Sequence, residues 1–544
     1  MTARQETTWP DGPGGALRPE THYDGRDMLC YASRPATLSE MLAGCVRDFP
    51  DRLAIAEGLR LSYRELDEIV SALAAGLKAQ GVGVGGKVAL FMTNRWQLLA
   101  CVYACARIGA VAVPLSVRLA RAELAFLLND CGASVLVFEN KLAEVLPAAD
   151  TVPALQYRFC VDETAAPARP FDELLGAGHD TAPAVGTDED VAVILYTSGT
   201  TGRPKGAMLT HLGIIHSSLS FARCFELTER DKALIAVPLS HVTGLVGVAF
   251  AAMCVGGGVA LMRESFERRA FLAIASREEI TFSILVPTIY SLIAMTPELD
   301  DTDLSSWRIG GFGGAPMPVA TIERIAEKLP NLMLVNAYGA TETTSPTTAM
   351  PLSEWRTHTN SVGKVVPGAD IRVVDTQGND VPAGETGELL IAGPMVIPGY
   401  LNRPEANAFD FVGGYWRSGD IGSVDEAGFV RIMDRSKDMI NRGGFKVFSA
   451  EVEDVLCHHD SVAECAVVGT PDPVLGERVH VFIVPRDAHG IDEAALRSFC
   501  AERLSDYKRP ESYTVLETPL PRNNNGKIQK HTLRDMLLAR AEQA

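Results

Sequence analysis

The segment Tyr196-Thr-Ser-Gly-Thr-Thr-Gly-Arg-Pro-Lys-Gly206 follows the apolar run Val191 to Leu195 without a break. Such a run reads as a buried strand, and a glycine- and hydroxyl-rich turn at the mouth of a strand exposes backbone N–H groups and side-chain donors to a small anion. Arg203 and Lys205 add positive charge. Phosphate is the ligand class these residues fit. The spacing does not satisfy the P-loop pattern, because Pro204 follows Arg203 and no Gly-Lys-[Ser/Thr] stands four residues after a glycine. A nucleotide is expected and a Walker-type NTPase is not. A plain surface loop is the alternative reading of any Gly/Ser/Thr cluster.

At 544 residues the chain exceeds what one hydrophobic core organises, so at least two domains are expected. The formal charge of −18 repels nucleic acid and anionic membrane over most of the surface, which leaves a small phosphorylated ligand held by a local cationic cluster. The 11 cysteines are scattered without a Cys-x-x-Cys pair and read as buried thiols. Residues 1–36 mix Pro, Gly, Asp and Arg without an apolar core. They read as a poorly ordered arm rather than a signal peptide or membrane span, and a cytoplasmic location is expected.

From Leu61 onward helix and strand patterns alternate. Ser62 and Glu65 form a capping-box signature, and Leu66, Ile69, Val70, Leu73 and Leu77 recur on one helical face. Val88–Met92, Ala110–Pro114 and Val135–Phe138 read as strands and Trp96–Ile108 as a helix. Between Ile371 and Ile391 the pattern changes to antiparallel hairpins, a small β-rich subdomain. After the polar stretch DRSKD near Asp434, helices over 450–458 and 493–504 alternate with strands over 464–468 and 479–484, a compact domain of common size.

Six further segments follow the loop in fixed order: PLSHVTG at 238–244, GGFGGAPMP at 310–318, NAYGATET at 336–343, YWRSGDIG at 415–422, DRSKDMINRGGFKVFSAEVE at 434–453 and PRNNNGKIQK at 521–530. Together they resemble the adenylate-forming superfamily of acyl-CoA synthetases, peptide-synthetase adenylation domains and beetle luciferases, from about Thr37 to the end of the chain. The resemblance implies an α/β fold: a large N-terminal domain of α/β sheets plus the β-rich subdomain, and a mobile α+β C-terminal cap domain. The expected division is an arm over 1–36, an adenylation domain over 37–434, a hinge over 435–438 and a cap over 439–544.

The resemblance also implies roles. Thr197, Ser198, Gly199, Thr200, Thr201 and Lys205 cradle the β- and γ-phosphates of ATP. Gly314, Ala315 and Pro316 line the adenine and acyl pocket, Tyr338 with Gly339 lies against adenine, Thr341 sits near the α-phosphate, and Glu342 holds Mg2+. Asp420 accepts the ribose hydroxyls and Arg435 reaches ribose or phosphate. His241 gates between the acyl carboxylate and the incoming thiol. Lys527 holds the attacking carboxylate and the α-phosphate together. Lys437 is the hinge residue, and Gly443, Gly444 and Lys446 border the CoA channel.

The implied activity is an AMP-forming acid:CoA ligase using ATP, Mg2+ and CoA. His241 to Phe250 carries no cation to pair with a second carboxylate, so an apolar aliphatic or aromatic acid is expected. A stand-alone adenylating enzyme with a carrier protein or other acceptor is the second reading, and a nucleotide-binding homologue without turnover the third. No nucleic acid or integral membrane association is expected, and a homodimer is left open.

Overall fold

The computed structural model describes residues 9–23, 25–162, 168–180, 182, 184–197, 204–263, 266–315, 317, 319–443, 445–486, 490–522 and 528–543. The chain divides into two compact units. The first comprises 1–317, 321–371 and 391–416, and the second 318–320, 372–390 and 417–544.

In the first unit the apolar runs become two largely parallel sheets. One orders its strands as Lys205–Thr210, Val191–Thr197, Val111–Pro114, Lys87–Phe91, Val135–Phe138, Tyr157–Cys160 and Arg169–Pro170. Only the first pair is antiparallel. Val88, Ala89, Leu90 and Phe91 are all fully buried, as strands covered on both faces must be. The second sheet runs Met333–Tyr338, Ile309–Phe312, Phe282–Leu285, Lys232–Ile235, Gly258–Leu261 and Leu53–Glu57, each parallel to the next.

The helix Tyr63–Ala79 begins at the expected capping box, Glu65 N–H donating to Ser62 Oγ and Ser62 N–H to Glu65 Oε2. It buries Leu66, Val70, Leu73 and Leu77 completely, each contributing about 1.5–3 kcal/mol of hydrophobic stabilisation. Trp96–Arg107 is also a helix, nearly all of it buried.

The described residues from 9 to 36 differ from the loose arm expected there. Leu17–His22 and Arg26–Tyr31 pair as an antiparallel hairpin. Arg34 grips Glu20 through its two terminal guanidinium nitrogens, at 2.8 and 2.7 Å, and bonds Asp188 at 2.8 Å. Tyr31, wholly buried, donates its N–H to His216 Nε2 at 2.8 Å on the helix His211–Cys224. The hairpin is held by partners more than 150 residues away in sequence, which local composition does not reveal.

In the second unit, Val462–Asp472 and Gly476–Pro485 form a long antiparallel pair, with Ser512–Val515 parallel to the latter. Alternate residues face opposite sides. Cys465 and Val467 join Val452, Leu456 and Leu496 in one core, whereas Ala466 and Val468 join Phe482 and Leu533 in another. The helices Ser449–Cys457 and Glu493–Arg503 supply the first core, and Lys530–Gln543 the second.

Residues 372–390 and 417–434 also belong to this unit, so the compact division falls ahead of the expected 434/435 boundary. The reason is local pairing: Ser418 Oγ donates to the Leu389 carbonyl at 2.7 Å and Gly384 N–H to that of Val424 at 2.8 Å, tying the β-rich subdomain to the strands that follow it.

Candidate active site

The first unit gathers its candidate residues at the carboxyl ends of parallel strands, where α/β sheets place ligands. Thr197 ends the strand Val191–Thr197 and stands opposite Lys205, the first residue of the antiparallel return strand. The turn joining them falls outside the described residues, and with it Ser198, Gly199, Thr200 and Thr201; Pro316, Gly444 and Lys527 also lie outside.

Lys205 Nζ bonds Asp410 Oδ2 at 3.0 Å and lies 4.7 Å from the centre of the Tyr400 ring. The Tyr400 hydroxyl donates to Glu342 Oε1 at 3.0 Å. Burial, then the Glu342 charge, holds the phenol well above its ordinary pKa, so it stays a donor. Backbone bonds fix this arrangement: Ile397 N–H to the Glu342 carbonyl at 3.0 Å, Leu401 N–H to that of Gly206 at 2.8 Å and Met208 N–H to that of Gly399 at 3.2 Å. A cation and a carboxylate from segments 137 residues apart therefore share one aromatic side chain.

Tyr338 ends the strand Met333–Tyr338 and Thr341–Thr343 forms a single 3-10 turn. Tyr338, Gly339, Thr341 and Glu342 are each half-buried. On the neighbouring strand's exit, a Cβ on Gly313 would come within 2.2 Å of the Ala337 carbonyl, so glycine is what lets the two strand ends approach. Gly314 and Ala315 follow, exposed.

His241 is half-buried; its N–H reaches the Pro238 carbonyl at 3.1 Å, and its own carbonyl accepts from Leu245 N–H at 3.0 Å. The π-helix Thr243–Phe250 follows, buried from Gly244 to Phe250. Asn94, buried, carries the strand exit leading to His241: its amide donates to the carbonyls of Val237 (3.1 Å) and Met262 (3.2 Å), and its Oδ1 accepts from Leu239 N–H at 2.8 Å.

In the second unit, Asp420 and Arg435 face each other across the antiparallel strands Tyr415–Val424 and Phe429–Arg435, their side chains paired at 2.7 Å. Asp420 is 4% exposed. Lys437 is exposed, and the residues flanking it are tied down. Asp434 accepts N–H groups of Arg435 and Ser449, and Asp438 accepts from Arg534 at 2.8 Å. Gly443 turns the hairpin Ile440–Arg442/Phe445–Val447, and Lys446 is exposed on it. Beside it Phe445, 57% exposed, stacks on Tyr507 at 4.7 Å.

Tyr400, Asp410 and Asn94 were not singled out in the sequence. Tyr400 meets Glu342 only through long-range strand pairing, and Asn94 acts on a segment more than 140 residues on, so neither has a local signal.

The AMP-binding enzyme family model matches residues 42–401, and the AMP-binding enzyme C-terminal domain model matches 451–527. The chain belongs to this adenylate-forming enzyme family. Feruloyl-CoA synthase of Amycolatopsis sp is 37% identical over 479 residues, 88% of this chain and 94% of that protein. Long-chain-fatty-acid–CoA ligase FadD13 of Mycobacterium tuberculosis is 33% identical over 508 residues, covering 93% and 97%. The crystal structure of the anthranilate CoA ligase AuaEII with anthranoyl-AMP superposes with a TM-score of 0.87 at 26% identity, covering 93% of this chain and 99% of that one.

Proposed function

We propose that this enzyme is an acid:CoA ligase that activates an apolar carboxylic acid, aromatic or aliphatic, through an acyl-AMP. The observation that carries the reading is the junction of Lys205, Tyr400 and Glu342, a cation and a carboxylate on one rigid support at the mouth of the phosphate-type loop. The relatives named for ferulate and long-chain fatty acids support the substrate class. So does the apolar π-helix behind His241, which offers no partner for a second substrate charge.

In the first half-reaction a carboxylate oxygen bonds to the α-phosphorus of ATP while the bond to pyrophosphate breaks. Two anions must meet, so cationic and N–H donors aimed at the developing charge lower the barrier. Thr197, Lys205 and the turn between them take the β- and γ-phosphates, Thr341 the α-phosphate, and Lys527 the carboxylate and α-phosphate together. Asp420 receives the ribose hydroxyls beside Arg435, and Tyr338 with Gly314–Pro316 flanks the base. Glu342 fits a Mg2+ ligand: its Oε1 is oriented by Tyr400, and Mg2+ commonly takes one or two carboxylates plus phosphate oxygens. Bound there, the ion would neutralise charge on the phosphates.

In the second half-reaction the CoA sulfur bonds to the acyl carbon and the bond to AMP breaks. His241 stands where the thiol must enter, Lys437 serves as the hinge of 435–438, and Gly443, Gly444 and Lys446 border the pantetheine path.

The test is pyrophosphate release across a panel of carboxylic acids with and without CoA. Release with aromatic or medium-to-long aliphatic acids, and thioester plus AMP once CoA is added, is expected. Release that never yields a thioester would replace CoA by another acceptor, and no release with any acid would overturn the reading.

A further inference from the structure

In the second unit, Cys457 ends the helix Ser449–Cys457 and Cys465 lies on the strand Val462–Asp472, with their sulfur atoms 3.7 Å apart. That is van der Waals contact for two sulfurs. Cys465 is buried, whereas Cys457 is only partly so. Of the other nine cysteines eight are buried, and Cys254, the remaining part-exposed one, directs its thiol to the Ala251 carbonyl at 3.3 Å.

We propose that Cys457 and Cys465 form a peroxide-responsive dithiol site, Cys457 being the attacking thiolate and Cys465 the resolving thiol. The Cys457 sulfur bonds to one peroxide oxygen, the O–O bond breaks and water leaves, giving a sulfenic acid. The Cys465 sulfur then attacks that sulfur, the S–O bond breaks and a second water leaves. Two thiols are oxidised to a disulfide and one hydrogen peroxide is reduced to two waters.

The geometry favours resolution over further oxidation. The sulfurs need to close from 3.7 Å to about 2.05 Å, a side-chain rotation between groups already in contact, and such proximity gives an intramolecular step a high effective concentration. The thiol chemistry agrees. The Cys465 hydrogen bond holds the Cys457 thiol below its ordinary value, against burial and the nearby Glu453 and Asp454 charges and with slight help from Arg486. Every other cysteine is held above it, nine by burial and Cys465 first by that same hydrogen bond. Since the thiolate is the reactive species, Cys457 is the selective target.

The site also touches the support of the C-terminal helix. Cys465 Sγ lies 3.6 Å from the Glu453 carbonyl, a second acceptor within reach of its single hydrogen, and the Glu453 carboxylate, one turn before Cys457, pairs with Lys530 at 2.7 Å. Oxidation removes that hydrogen.

Both cysteines fall in one tryptic peptide, 447–478, which holds no third cysteine. The reduced full-length protein is treated with limiting hydrogen peroxide, alkylated after denaturation, digested and weighed. The expected product is this peptide two hydrogens lighter (about 2 Da), unalkylated at both cysteines, restored by dithiothreitol and formed at least tenfold faster than oxidation of any other cysteine. Cys457 recovered as sulfinic or sulfonic acid with Cys465 alkylated would overturn the proposal. So would both cysteines alkylated at doses that oxidise Cys254. In Cys465→Ser, Cys457 should stop at a sulfenic acid captured by dimedone; equal capture in the wild type would also overturn it.

Discussion

Tyr400 donates its hydroxyl hydrogen to Glu342 Oε1 at 3.0 Å, from a ring whose face lies 4.7 Å from the Lys205 ammonium. The tyrosine thus orients the carboxylate proposed to hold Mg2+ while supporting the cation proposed to hold phosphate. Hydrogen bonds to charged groups contribute about 1.5–3 kcal/mol. Tyr400→Phe keeps the ring and loses that bond, so pyrophosphate exchange should slow roughly tenfold or more and the Mg2+ concentration for half-maximal rate should rise. Magnesium titrations of the exchange rate check this, and an unchanged titration curve would remove Tyr400 from the site.

Asp420 supplies a second test because its charge is buried and already paired with Arg435 at 2.7 Å. Asp420→Asn retains shape while weakening both the ion pair and its acceptance of ribose hydroxyls. The KM for ATP should rise about tenfold, in line with loss of a charge-assisted bond. The wild type should also prefer ATP to 2′-deoxy-ATP, and the variant should lose most of that preference. Equal discrimination in both proteins would place Asp420 away from the ribose.

How much of this was readable beforehand depended on where each element finds its partners. The strand at 87–91 and the helix at 63–79 were legible because complete burial leaves a continuous apolar run and a capped amphipathic helix leaves Ser62 and Glu65 three residues apart. The hairpin at 17–31 was not, since its apolar residues are few and its anchors, Arg34 on Asp188 and Tyr31 on His216, are long-range. The same contrast holds in the site. Thr197 and Lys205 border a Gly/Ser/Thr-rich cluster whose composition points to phosphate, and Glu342 was singled out through the family resemblance alone, whereas Tyr400 joins them only through the pairing of Gly206 with Leu401.

Variants at Lys527 and Lys437 test the proposed division between the two half-reactions. If Lys527 holds the carboxylate against the α-phosphate, Lys527→Ala should slow acyl-AMP formation at least hundredfold, the size of effect expected for a group acting on transition-state charge. Thioester formation from supplied acyl-AMP should persist. Lys437→Pro, which fixes φ in the proposed hinge, should do the reverse. Single-turnover assays of each step distinguish these outcomes, and parallel loss of both steps in either variant would contradict the division of labour.

Acid should loosen the N-terminal hairpin before it affects the carboxylates. His216 accepts the Tyr31 N–H and stacks on that ring at 4.4 Å, while His211 Nδ1 accepts Leu38 N–H at 3.2 Å. Burial lowers His216 to about 3 and His211 to about 4. Both are neutral acceptors in the fold, whereas in the unfolded chain each binds a proton below about pH 6.5. The unfolded state therefore takes up more protons, and stability present above pH 6.5 is lost as pH falls toward the folded values. At pH 5 each histidine should cost about 2 kcal/mol relative to neutral pH. Urea unfolding at pH 7.5 and pH 5 measures the sum. His216→Gln, whose amide oxygen accepts the Tyr31 N–H at either pH, should remove roughly half of the difference. An undiminished pH dependence in that variant would assign the acid sensitivity to other groups.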